Sequence, residues 1–210
     1  MSILDELSSS VGDRTQNANR AVAERVRADP ALLDDIARGL TAANVKLVGD
    51  CAEILTMTAQ DQPEAVAPYL DQVIPLLAAK DKRVRWEAMH TLALIARHVV
   101  GPMAALLPQL REAIRQDTST IVRGYAVEAL GEYAGTSASA AQAAWPVLLE
   151  ALTLWEGDYA NLALVALTRA AVADPALAAS AIAVAQQYRD HSASRVKQAA
   201  RASLRKLGQK

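Results

Sequence analysis

The stretch KDKRVRWEAMHTLALIA, Lys80 to Ala96, decides the fold because its pattern returns along the chain. VRWEAMHTLALIA begins at Val84, VRGYAVEALGEYA at Val122 and VKQAARASLRKLG at Val196. VKLVGDCAEILTM at Val45 and YANLALVALTRAA at Tyr159 are looser copies. Successive starts lie 39, 38, 37 and 37 residues apart. Self-similarity at a period of this size marks a helical solenoid, in which each unit buries its apolar face only against its neighbours.

The aligned columns carry physical meaning. Four residues into each copy stands Gly49, Ala88, Ala126, Ala163 or Ala200. A small side chain there lets two helices touch. Eight residues in comes Leu92, Leu130, Leu167 or Leu204, on the same helical face. The first copy has Glu53 in that place with Ile54 beside it, so its helix is expected to be rotated or shifted in register. A second helical pattern precedes each copy: LLDDIARGL, PYLDQVIPLLA, ALLPQLREAIR, AWPVLLEALTL and PALAASAIAVAQQ. Asp29-Pro30 and Asp174-Pro175 read as an N-cap followed by proline at the first helical position. Pro75, Pro108 and Pro146 fall inside these first-helix patterns and should start or bend them. Helices are expected near 44–59, 64–79, 82–98, 103–116, 119–134, 138–153, 158–172, 175–188 and 193–207, with shorter ones before residue 42.

Composition agrees with an all-helical chain. The 210 residues are 52% hydrophobic but only 4% aromatic, with no Phe, so the apolar mass is Ala, Leu, Val and Ile. Ala and Leu are the best helix formers, and a β-sandwich would want more aromatic and β-branched residues. The N-terminal MSILDELSSSVGDR lacks the basic and apolar regions of a signal peptide. No stretch approaches the roughly 20 apolar residues of a membrane span. Cys51 is the only cysteine, which excludes an internal disulfide and fits a reducing compartment. The expected location is cytoplasmic, with no membrane partner. The net charge of −1 hides alternating blocks: residues 1–79 carry −6, 80–123 carry +4, 124–188 carry −5 and 189–210 carry +6. That alternation argues against a dedicated polyanion binder.

The columns VRWEAMHTL and VRGYAVEAL, an aspartate shortly before each (Asp81, Asp117) and prolines in the preceding helix resemble the HEAT-repeat family of the armadillo-like superfamily. The likeness covers roughly residues 30–210. It implies an all-α, right-handed α–α superhelix, a HEAT-like solenoid of about five helix pairs. It also implies a single domain over 1–210, with irregular cap helices at 1–42 and repeats at 43–210. In the family the second helices line the concave face, most members are scaffolds or adaptors, and a basic residue bonds to the turn acid between neighbouring repeats.

Lys46, Arg85, Arg123 and Lys197 occupy that basic column. Two readings stand for it: bonding between repeats, or a stripe that contacts phosphates. Trp86 has Leu47, Gly124, Asn161 and Gln198 as its equivalents. It either stands on the concave face as a binding hot spot or covers a gap between repeats. Trp86, Met89 and Arg97 recur along one side of the second helix, opposite Val84, Ala88, Leu92 and Ile95. With Arg85 and Arg123 they are the expected partner-binding residues, because Arg, Trp and Met are enriched at protein interfaces. The loop WEGDY, Trp155 to Tyr159, either holds a partner's basic group or packs its aromatics over the ridge. Glu87 and His90 form one Glu-x-x-His pair, and a metal site needs at least a third convergent ligand.

There is no Gly-rich phosphate loop, His-Glu-x-x-His, Cys-x-x-Cys or Gly-x-Ser-x-Gly motif. No catalytic, cofactor or metal residue is therefore assigned. The expected function is a non-enzymatic protein-interaction scaffold or adaptor that grips an amphipathic or acidic protein segment on its concave face. The alternative is a HEAT-like nucleic-acid-binding protein related to DNA alkylation-repair glycosylases. Opposite charge at the two ends of the chain also suggests weak head-to-tail self-association.

Overall fold

The computed structural model describes residues 2–208, and those residues are helical without a strand among them. The chain divides into two compact units, Met1–Val99 and Val100–Lys210.

The first unit opens with a 3-10 turn at Ile3–Glu6 that is held by a Ser2/Asp5 capping box. The helices α1 (Ser8–Val11), α2 (Asn17–Ala28), α3 (Leu33–Gly39), α4 (Val45–Ala59), α5 (Pro63–Val66), α6 (Leu70–Val73) and α7 (Lys82–Ile95) follow. Asn44 caps α4 and Asp81 caps α7, each side chain accepting a first-turn N–H. α4 packs against α2, α3 and α7. Its register is shifted, as the misplaced Glu53 implied. Val45 is 51% exposed, and the buried row begins at Val48 and runs through Ala52 and Leu55. Buried Asn19, Asp50 and Glu53 form a polar network with the partly exposed Arg83 inside this unit. Asn19 Nδ2 donates to Asp50 (3.0 Å) and Glu53 (2.6 Å), and Arg83 Nη2 donates to both carboxylates at 2.9 and 2.8 Å. Cys51 lies in the core at 0% exposure, and burial pushes its thiol up to about 12.

The expected single helix at 64–79 is broken. α5 and α6 are joined by a 3-10 turn at Ala67–Tyr69 and followed by another at Ile74–Ala78. Pro68 and Pro75 sit at the starts of these turns, where a proline has no N–H to give an α-helical ladder.

The second unit contains α8 (Val100–Gln116), α9 (Thr120–Ala134), α10 (Ala138–Ala151), α11 (Ala160–Ala173), α12 (Ala178–Gln187) and α13 (Ser194–Lys206). Pro108 and Pro146 lie within α8 and α10 and do not end them. Asp174 accepts from Ala176 N at 3.1 Å and caps a 3-10 turn ahead of α12, as Asp29 does ahead of α3. α9, α11 and α13 lie side by side, with α10 and α12 packed against them. Ala126, Ala163 and Ala200 are fully buried, as are Leu130 and, to within 1%, Leu167. α9 and α11 approach tightly at Gly131, where a Cβ would stand 2.7 Å from Ala166 Cβ. The same lateral step recurs in both units. Thr56 meets Thr91 at 3.0 Å and Thr168 meets Ser203 at 2.6 Å, each pair 35 residues apart.

Candidate functional site

The two arginines of the basic column serve the turns. Arg85 Nη1 donates to the carbonyls of Ala79 (2.8 Å) and Lys80 (3.0 Å). Arg123 Nη1 donates to Asp117 O at 3.2 Å, again six residues back. Arg123 also donates from Nε to Tyr159 Oη at 2.9 Å, a bond to the following repeat, and its guanidinium lies 3.7 Å from the centre of the Trp155 ring. It is 6% exposed, so the expectation that Arg123 faces a partner is corrected. Its donors go to neighbouring groups within the unit.

Met89 is corrected as well. At 1% exposure it is a core residue. α7 buries Val84, Glu87, Ala88, Met89, Thr91, Leu92, Ala93 and Ile95, which is far more than one stripe. Its apolar face is wide because neighbours cover it on more than one side. Arg97 is exposed but lies in the 3-10 turn Ala96–His98, beyond the end of α7. Trp86 is partly exposed, and its Nε1 donates to Glu87 Oε1 at 2.7 Å. Desolvation raises the Glu87 carboxyl, partly offset by that indole bond. Glu87 is thus engaged by Trp86, and no group of three His, Cys, Asp or Glu among the described residues could hold a metal ion.

A site that the sequence reading missed lies between α9 and α11. A groove of about 320 Å³ is lined by Gly124, Tyr125, Glu128, Tyr159, Asn161 and Leu162, and also by Ile121, Asp158 and Arg195. Gly124 is one of the lining residues and presents no side chain to it. A Cβ there would meet Leu162 at 3.6 Å and Tyr159 at 3.8 Å, ordinary van der Waals contacts. Helix packing therefore does not require glycine at this position, although glycine in mid-helix costs about 0.5–1 kcal/mol relative to alanine. Tyr159 is 6% exposed and fixed by donating to Thr120 O at 3.1 Å. Arg195 Nη2 donates to Asp158 O at 3.0 Å and lies 3.9 Å from its carboxylate.

Glu128 stands half-buried in the groove and makes no hydrogen bond or ion pair among the described residues. Desolvation raises its carboxyl; Arg169 opposes that shift and Glu132 adds to it. Arg169 is itself bonded to Glu132 at 2.6 Å. The signal for the groove was present in the Trp86 column, where an indole in one copy is replaced by the bare Gly124 in the next.

Beside the groove, Leu154–Gly157 is a left-handed turn: Trp155 has φ 54°, Glu156 φ 57° and Gly157 φ 82°. The Trp155 indole holds it by donating to Ile114 O at 2.8 Å while remaining 41% exposed.

No protein-family model matches the sequence, and no curated protein matches it. Solved structures match along nearly the whole chain. A designed armadillo repeat protein in complex with the peptide (KR)4 superposes with TM-score 0.75 at 18% identity, over 98% of each chain. Computationally designed armadillo repeat proteins for modular peptide recognition give 0.72 at 18%, over 97% of this chain and 98% of that one. An engineered protein gives 0.73 at 22%, over 97% and 94%. The chain has the all-α armadillo-like repeat fold. No helix among the described residues is long and apolar enough to cross a membrane.

Proposed function

We propose that this chain is a non-enzymatic adaptor that grips a segment of another protein in the groove between α9 and α11. The observation that carries the reading is Gly124. It leaves open a space that the helix packing could fill, at some cost to helix stability, and the space opens beside polar groups that have work to do. Asn161 offers an amide donor and acceptor with no partner among the described residues, suited to the main chain of an extended segment. Tyr125, Tyr159 and Leu162 supply the apolar walls. Recognition of (KR)4 by a designed protein of the same fold supports a peptide ligand. The competing nucleic-acid reading relied on the basic column, and the burial of Arg123 weighs against it.

The test is a display selection of random short peptides against the protein and against its Gly124→Leu variant. Leucine should fill part of the groove without unfolding α9, which a thermal melt checks. Peptides that bind the parent and lose affinity for the variant are the expected result. Peptides that bind both equally would move the binding surface elsewhere.

A further inference from the structure

We infer that the groove accepts a lysine or arginine side chain of the bound segment, with Glu128 as its counter-charge; this rests on the protein-segment reading above. Four observations converge on it. First, Glu128 is a half-buried carboxylate without an ion-pair or hydrogen-bond partner among the described residues, and such a group gains from any cation brought to it. Second, the nearby charges do not cancel. Arg169 pairs with Glu132, and Arg195 contacts Asp158, so each cation already has an acid and Glu128 remains as the surplus. Third, this shortage extends beyond the groove, since residues 124–188 contain six acids and the single base Arg169. Fourth, the walls beside Glu128 suit the stem of a long cationic side chain. Tyr125, Tyr159 and Leu162 cover methylene groups while the charged head reaches the carboxylate.

The sign of this charge reverses the expectation drawn from the sequence, which was an amphipathic or acidic ligand. That expectation counted the cations of the basic column as available. Arg123 instead bonds a turn carbonyl and a tyrosine, and the open charge in this unit's groove is negative.

The experiment extends the display selection. Peptides preferring the parent over Gly124→Leu are sequenced, resynthesised and titrated by calorimetry against Glu128→Gln and Glu128→Lys. Lysine or arginine should be enriched at one position, and affinity should fall about tenfold or more in Glu128→Gln. Glu128→Lys should favour versions of the same peptides with glutamate at that position. The melt of Glu128→Gln at neutral pH should be no lower than that of the parent, so weakened binding would not reflect unfolding. Peptides without basic enrichment, or with unchanged affinity for Glu128→Gln, would overturn the inference and leave the groove as a protein-binding site. Failure to select any peptide that distinguishes parent from Gly124→Leu would overturn both.

Discussion

Gly124 and Gly131 stand on one helix and have opposite relations to their surroundings. At Gly131 an added Cβ would lie 2.7 Å from Ala166 Cβ and 3.1 Å from its Cα, a contact with backbone that no rotamer change relieves. Gly131→Ala is expected to destabilise the protein by about 1–3 kcal/mol through overpacking. Gly124→Ala is expected to stabilise it by about 0.5–1 kcal/mol, since its Cβ fits and alanine is the better helix former. Denaturant titrations of the two variants should move in opposite directions, and movement in the same direction would contradict these placements. Asp13 makes a separate prediction. Its carboxylate accepts from Ala18 N (2.9 Å), Thr15 N (2.7 Å), Thr15 Oγ1 (2.6 Å) and Ser8 Oγ (3.3 Å), and these bonds, that of Ala18 foremost, pull it from 3.8 down to about 2. A carboxyl depressed in the folded state stabilises it above the unfolded value and loses that contribution as pH falls through the folded one. The Thr15 and Ala18 amide resonances should therefore titrate with a midpoint near 2, and a midpoint at 3.8 would mean that the turn is open. At this scale the sequence was legible where side chains fill space. Ala126, Leu130 and Leu167 are buried as their columns require. It was not legible at Met89 or Glu128, because a column shows which face a residue occupies and not how far neighbouring helices wrap around it.

At the scale of elements, the repeat period placed the second helices well, and α4, α7, α9, α11 and α13 each begin within two residues of their expected starts. The first helix of the pair before α7 reads as continuous in the sequence but is broken in the structure. A hydrophobic pattern can persist across a proline that divides the backbone ladder, as at Pro68 and Pro75. Between α10 and α11 the turn Leu154–Gly157 holds Trp155 and Glu156 in the left-handed region, which costs a non-glycine residue about 1–2 kcal/mol. Glu156 is exposed. Glu156→Gly should relieve its share and stabilise the protein by about 0.5–1 kcal/mol after the greater entropy loss of glycine. A lower unfolding midpoint would mean that the turn departs from this conformation. Trp155 is a different case, because the same substitution there would also remove the indole from Arg123 and from the Ile114 carbonyl.

Across the whole molecule, alternating charge blocks and a net charge of −1 leave little long-range attraction for a polyanion. Fluorescence anisotropy with generic duplex DNA is expected to show no saturable binding at physiological salt. Saturable binding with a steep salt dependence would restore the nucleic-acid reading. The two units also differ in one covalent respect. The chain has a single thiol, at Cys51 in the core of the first unit, and the second unit has none. A sulfhydryl reagent can reach that atom only when the helices around it part, and at neutral pH a group with a pKa of about 12 stays almost wholly unreactive until then. The speed of labelling under native conditions is therefore a clock for the breathing of residues 1–99 alone, and a bound peptide in the other unit would alter its rate only if the two halves communicate.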